Sequence, residues 1–314
     1  MAPERIFPPS LSKPFRAGIV APASAPRDGT SLPDGLKGLR EAGIETVLGR
    51  ESIEAVGYLA GTDQERLQEL HAMMERPDID AIICVRGGYG VLRILDQIDF
   101  NLLQEHPKIF VGYSDITALQ LALYRHTGMT SVSGPMVAVE WSDPDGVNCR
   151  HFMDLVSPDW KPGPLDPDQD QKTLVAGKAE GVLLGGNLSL VTKLIGSRHM
   201  PDMKGALLFL EEVGETPYRV DGLLAQLGLS GILDEVAGII LGGFTGADVA
   251  EGKPTLSMTE VFEDWFGDLG IPVATGLRYG HFPEKVAVPI GVRARLEADA
   301  NGGAVVTLLE QPTR

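Results

Sequence analysis

Between Arg16 and Met136 short apolar runs alternate with amphipathic stretches, and this alternation restricts the chain to few architectures. AGIVA (17–21), ETV (45–47), IDAIICV (79–85), KIFVG (108–112) and SVSG (131–134) read as strands. Several are rich in β-branched residues and flanked by turn residues, the pattern of strands buried on both faces. Between them LPDGLKGLREAG, TDQERLQELHAMMERP and DITALQLALYRHTG read as helices. In the second, Leu67, Leu70, Met73 and Met74 fall on one face; Gly128 supplies a stop signal for the third. Such alternation builds right-handed βαβ units and a doubly wound parallel sheet. Ligands collect at the carboxyl ends of the strands of such a sheet, so the loops after them are where chemistry is expected.

SPDWKPGPLDPDQDQK (157–172) is dense in proline and aspartate and breaks the pattern. The expected organisation is an N-terminal α/β domain over 1–156, a linker over 157–174 and a C-terminal mixed α/β domain over 175–314. A chain of 314 residues is long enough for two cores. Beyond the linker come AEGVLLGG, NLSLVTKLIG, ALLFLEEVGE, PYRVDGLLAQLG, EVAGIILGG and TLSMTEVFEDWFG, a mixture of strands and helices. The end reads as short strands around an Asn301-Gly302-Gly303 turn.

The chain carries 27 basic and 43 acidic residues, a net charge of −16. A field of that sign repels phosphate backbones, which argues against nucleic acid as a partner. Cys84 and Cys149 form no C-x-x-C pair, so neither a disulfide framework nor a zinc knuckle is expected. The first residues, with Glu4 and several prolines, lack the apolar run of a signal peptide, and no run of about 18 apolar residues follows. A cytoplasmic location without membrane attachment is the expectation.

Four segments could carry chemistry. In KIFVGYSDITALQLALYRH a strand ends at Gly112, Ser114 occupies the turn, and a helix begins near Asp115. A serine on a tight strand-to-helix turn is raised above the sheet edge, where helix N–H groups can stabilise an oxyanion. Ser114 or Asp115 equally suits a plain N-cap, and Ile116 stands where G-x-S-x-G has its second glycine. In IICVRGGYGVLRIL, Gly87, Gly88 and Gly90 follow a strand, but Arg93 replaces the last glycine of a dinucleotide-binding turn. Such a turn could point an N–H at a substrate carbonyl or be only a turn.

In ALLFLEEVGE a strand runs into Glu211 and Glu212, acids that could orient a histidine. GLRYGHFPEK places His281 in a glycine-flanked loop, whereas His71, His106, His126, His151 and His199 suit solvated or packing roles. No histidine spacing supports a metal site. A nucleophile, a base and an orienting acid are the minimum set for acyl transfer. With the serine in the first domain and the others in the second, the site is expected at the domain interface.

GIVAPAS, RGGYG, GYSDITAL, SGPM, LLGGNLSLV, LFLEEVGETPYRVD and GHFPEKVAVPIG together resemble the LD-carboxypeptidase (muramoyltetrapeptide carboxypeptidase) family over nearly the whole chain. The resemblance implies a Ser-Glu-His triad of Ser114, Glu211 and His281, with Glu212 as the alternative acid. It further implies an oxyanion hole from the backbone amides of Gly88 and Asp115, no metal or organic cofactor, and a homodimer. The implied reaction releases terminal D-alanine from a murein tetrapeptide. Arg86, Gly87, Tyr113 and Arg278 are candidates for substrate binding, the two arginines to offset the acidic field. Two other readings remain: a microcin self-immunity-type peptidase acting on acyl-adenylate analogues, for which Trp160 is the candidate aromatic contact, and a non-catalytic nucleotide-binding α/β protein.

Overall fold

The computed structural model describes residues 4–168, 171–246 and 254–314. The apolar runs of the first half form β1 (Phe15–Val20), β2 (Ile44–Leu48), β3 (Ala81–Cys84), β4 (Ile109–Val111) and β5 (Ser131–Ser133). They lie parallel in the order β2-β1-β3-β4-β5. Every residue of β3 and β4 is buried, as a parallel sheet covered by helices on both faces requires.

The second half supplies β6 (Gly163–Pro164), β7 (Gln171–Val175), β8 (Gly177–Asn187), β9 (Leu207–Val213), β10 (Gly238–Thr245), β11 (Val273–Thr275), β12 (Val288–Ile290), β13 (Arg293–Ala298) and β14 (Gly303–Leu308). β8, β9, β10 and β11 run parallel. β7, β14 and β13 continue the sheet antiparallel, and β13 also pairs with β8, so the strands close into a ring. β6 and most of β7 come from the stretch that reads as a linker; β6 pairs with β14. The architecture is the mixed α/β one expected, a parallel sheet with helices followed by a mixed sheet.

One strand departs from chain order. β12 leaves the ring and pairs antiparallel with β5, becoming the edge of the first sheet. The chain therefore crosses from the second sheet to the first over residues 276–287.

The helices follow their local signals. Asp63–Glu75 starts with a capping box in which Thr62 and Glu65 satisfy each other's backbone N–H groups. Its Leu70, Met73 and Met74 are buried as the periodicity predicts, with Leu67 partly buried. Arg66 and Glu69 are buried too. Arg66 donates to the carbonyls of Pro22 and Gly90, and Glu69 accepts from Ala21 N–H at 2.9 Å and Arg50 at 3.2 Å. Thr117–Thr127 ends at Gly128, whose φ of +72° is the left-handed cap a glycine allows. This helix is buried from Thr117 through Tyr124 because it packs on both β5 and β8, one strand from each sheet. Among the described residues no helix is long and apolar enough to cross a membrane.

The helix Ser31–Glu41 packs unusually close to the segment after β5. A Cβ on Gly38 would lie 1.7 Å from the Trp141 carbonyl oxygen. Gly-to-Ala in a helix interior ordinarily stabilises by about 1 kcal/mol. Here the contact reverses the sign: Gly38→Ala is expected to destabilise by about 2 kcal/mol or more, read as a lower urea midpoint at unchanged slope.

Candidate active site

After β4 the chain turns through Gly112 and Tyr113 into a 3-10 turn, Ser114–Ile116, that leads into the helix Thr117–Thr127. Ser114 has φ +65°, the only positive φ of a non-glycine among the described residues. For an L-residue that conformation costs about 1–2 kcal/mol and persists only where neighbours enforce it. Both neighbours are held. The Tyr113 hydroxyl donates to Glu140 Oε1 at 2.9 Å and accepts from Lys285 Nζ at 3.2 Å. The Asp115 carboxylate accepts from Val91 N–H at 2.9 Å. Gly87 must lack a side chain here, because a Cβ would sit 2.8 Å from that of Ser114.

His281 lies on the crossing from β11 to β12. Its Nε2 is 3.0 Å from Ser114 Oγ and its Nδ1 2.8 Å from Glu211 Oε2. Three anchors fix this loop. The Tyr279 hydroxyl bonds Ser133 Oγ at 2.6 Å, Lys285 Nζ donates to Glu140 Oε1 at 2.6 Å, and β12 pairs with β5. The Tyr113 ring stands edge-on to the imidazole with centroids 5.3 Å apart.

Glu211 and Glu212 end up in different roles. Glu211 is fully buried, faces His281, and accepts from Asn187 Nδ2 at 3.1 Å. Glu212 accepts from the N–H groups of Ser189 and Val213, both at 2.8 Å, and from Asn187 Nδ2 at 3.0 Å. The bond from Ser189 N–H, in the first turn of the helix Leu188–Leu194, is a capping arrangement. Asn187 N–H in turn donates to Thr117 Oγ1 at 3.1 Å, joining the end of β8 to the helix after Ser114.

The RGGYG turn lies beside the serine. Gly88 has φ +114°, and Ser24 pins the turn by accepting from Tyr89 N–H at 3.1 Å while donating to the Tyr58 carbonyl at 2.6 Å. Among the described residues the N–H groups of Gly88 and Asp115 donate no hydrogen bond, leaving both available to an oxyanion.

His281 opens onto a cavity of about 570 Å³ whose lining includes Tyr113, Glu140, Asp143, Lys285, Phe282 and Arg27. Sequence reasoning passed over Glu140, Lys285 and Arg27: a charged residue in a loop carries no local sign of what it will face. Arg86 is half-buried and donates to the Ala25 carbonyl at 3.1 Å. Arg278 does not join this cavity. It is spent on Asp166, whose buried carboxylate it meets through Nε at 3.0 Å and Nη2 at 2.5 Å, because a buried charge demands a partner. Trp160 lines a separate small cavity with His151 and Leu155. His151 has a packing role: it bridges Leu165 O and Ala287 N–H. His199 instead bonds Asp96 and His126, joining the two halves. Both cysteines are buried and unpaired, their thiols pushed up by burial. Among the described residues no cluster of histidine, cysteine or acid could hold a metal ion.

Comparison with known proteins matches both halves of the chain. The chain fits the LD-carboxypeptidase N-terminal domain over residues 17–134 and the LD-carboxypeptidase C-terminal domain over 180–296. The chain belongs to the LD-carboxypeptidase family. It is 37% identical to a probable murein peptide carboxypeptidase of Bacillus subtilis, covering 96% of this chain and 97% of that one. Among solved structures, a muramoyltetrapeptide carboxypeptidase from Oxalobacter formigenes superposes with a TM-score of 0.83 at 31% identity, over 95% of this chain and 100% of that one. The microcin C7 self-immunity protein MccF of Escherichia coli is 29% identical over 84% of this chain and 85% of its own. Within this LD-carboxypeptidase the two family domains meet at the Ser114–His281–Glu211 line.

Burial pushes the Asp115 carboxyl up to about 6 despite the Val91 hydrogen bond. A carboxyl raised above its unfolded value binds its proton more tightly in the folded state, so its contribution to stability falls as pH rises from about 4 to about 6. Asp115→Asn removes this dependence. Relative to wild type, the variant is expected to gain on the order of 2–3 kcal/mol between pH 4 and pH 7, measured by urea denaturation at both values; a gain in the opposite direction would refute the assignment.

Proposed function

We propose that the protein is a serine-type LD-carboxypeptidase that hydrolyses the amide between the L-centre of a diamino acid and a terminal D-alanine in a murein tetrapeptide. The observation that carries this reading is the hydrogen-bonded line from Ser114 through His281 to Glu211, with His281 lining a cavity of about 570 Å³. His281 Nε2 takes the Ser114 proton as Oγ attacks the scissile carbonyl carbon. The N–H groups of Gly88 and Asp115 hold the resulting oxyanion, and Glu211 stabilises the imidazolium through Nδ1. The C–N bond then breaks, His281 protonates the departing D-alanine amine, and Ser114 is left as an ester. Water, deprotonated by His281, cleaves that ester and restores the serine. These steps draw only on protein groups and water, with no metal or organic cofactor.

The names of the relatives support the substrate class. The acyl-adenylate reading rests on the likeness to MccF, but its candidate aromatic, Trp160, lines a different cavity. A nucleotide-binding role for RGGYG gives no account of the imidazole placed on Ser114. We further propose a cytoplasmic homodimer acting on free murein peptides in wall recycling, without nucleic-acid or membrane partners.

A peptide ending in L-diaminopimelyl-D-alanine should release D-alanine with purified protein, and Ser114→Ala should lower kcat by about 10⁴-fold or more. Cleavage of an aminoacyl sulfamoyl-adenosine but not of the murein peptide would favour the other reading. Glu211→Gln should lower kcat by about 10³-fold or more with folding intact. Glu212→Gln should leave kcat far less affected; the reverse order would make Glu212 the orienting acid.

A further inference from the structure

The chain has a net charge of −16, while a murein peptide is itself anionic. A carboxypeptidase must nevertheless recognise a free terminal carboxylate, only three bonds beyond the carbonyl carbon it attacks. A cation serving that purpose has to stand beside the oxyanion-binding turn and be unclaimed by the protein's own acids.

Arg86 meets both conditions, and Arg27 is a second unclaimed cation whose charge is felt by Arg86. The Arg86 guanidinium reaches over the turn: a Cβ on Gly88 would lie 3.5 Å from Arg86 Nη2. Its Nη1 is directed to the Ala25 carbonyl, two residues before Arg27, and Arg27 lines the cavity that also holds His281. Among the described residues neither arginine makes an ion pair, although Arg5, Arg16, Arg50, Arg66, Arg76, Arg93 and most other arginines do. The cavity's acids do not supply the missing partner: Glu140 is neutralised by Lys285 at 2.6 Å, and Asp143 makes no ion pair with either arginine. Burial and the neighbouring Arg27 charge hold Arg86 below its ordinary value. Two like charges brought together without a counter-ion cost free energy that an anionic ligand recovers.

We propose that Arg27 and Arg86 together bind the terminal carboxylate of the substrate, so that this pair makes the enzyme a carboxypeptidase rather than an endopeptidase. The assignment rests on the peptidase reading above. Arg86, half-buried and steadied by Ala25, sets the position of the carboxylate relative to Gly88. Arg27, exposed at the cavity wall, adds charge and draws the anionic peptide in.

The test compares kcat/KM for two tetrapeptides that differ only at the end, one with D-alanine and one with D-alaninamide. Wild type should favour the free acid by about 10- to 100-fold, the range for a charge-assisted contact. Arg86→Gln and Arg27→Gln should each reduce that preference several-fold and the double variant should bring it near 1, chiefly through KM. Arg27 is exposed, so its variant tests the idea even if the Arg86 variant folds poorly. A wild type that cleaves both peptides equally, or variants that keep the wild-type preference, would overturn the carboxylate assignment while leaving the peptidase reading intact. A wild type that cleaves neither peptide overturns both.

Discussion

The antiparallel pairing of β12 with β5 is the contact on which the candidate site depends. It takes a strand from the second half of the chain and makes it the edge of the first sheet, drawing residues 276–287 across the boundary between the two. His281 lies on that crossing, and the crossing is tied to the first half at both ends. Tyr279 is bound to Ser133 on β5 itself, and Lys285 is bound to Glu140 and Tyr113. With the ends fixed, the imidazole has little freedom except to face Ser114. A pair of domains joined only by a flexible linker could not hold a hydrogen bond of 3.0 Å across their boundary.

The same ion pair serves the nucleophile. Tyr113 immediately precedes Ser114, so the Lys285–Glu140–Tyr113 network holds one side of the strained serine while Asp115 and Val91 hold the other. Burying charges is costly unless every partner is present. This molecule places several such groups near the site: Glu211 on His281 and Asn187, Glu212 on the N–H groups of Ser189 and Val213, and Lys285 on Glu140. The concentration of satisfied buried charge around one short turn is consistent with preorganisation of donors and acceptors for a reaction that develops charge. Arg27 and Arg86 stand apart from this pattern, being cations without acidic partners among the described residues.

Close packing at the end of β8 is a matter of small residues. Gly185 and Gly186 at the end of β8 would each clash if they carried a Cβ, the first with the Phe209 carbonyl oxygen at 1.9 Å and the second with Thr117 Oγ1 at 2.6 Å. Their absence of side chains lets β8 lie against β9 and against the start of the helix that follows Ser114. β9 places Glu211 against His281, which in turn meets Ser114 of the first domain.

Much of this was legible from residue order. The parallel strands announced themselves as short β-branched runs, the helix Asp63–Glu75 as an apolar face of Leu67, Leu70, Met73 and Met74, and Ser114, Glu211 and His281 as polar residues near strand ends. Local patterning suffices there because periodicity and turn chemistry act over a few residues. Other features had no local signature. That β12 would desert its own sheet, that proline-rich residues would pair as β6, and that Arg278 would be consumed by Asp166 while Arg27 faced the cavity all depend on partners more than a hundred residues away or on loops whose charges look solvated. The choice between Glu211 and Glu212 is of the same kind. In sequence they are adjacent and chemically identical, and only the packing of β9 against the His281 loop and the helix start at Leu188 gives one the imidazole and the other the N–H groups of Ser189 and Val213. Sequence determined which residue types stood at the ends of strands; tertiary structure decided which of them met, because hydrogen bonds and ion pairs require a few ångströms of separation that only long-range packing can set.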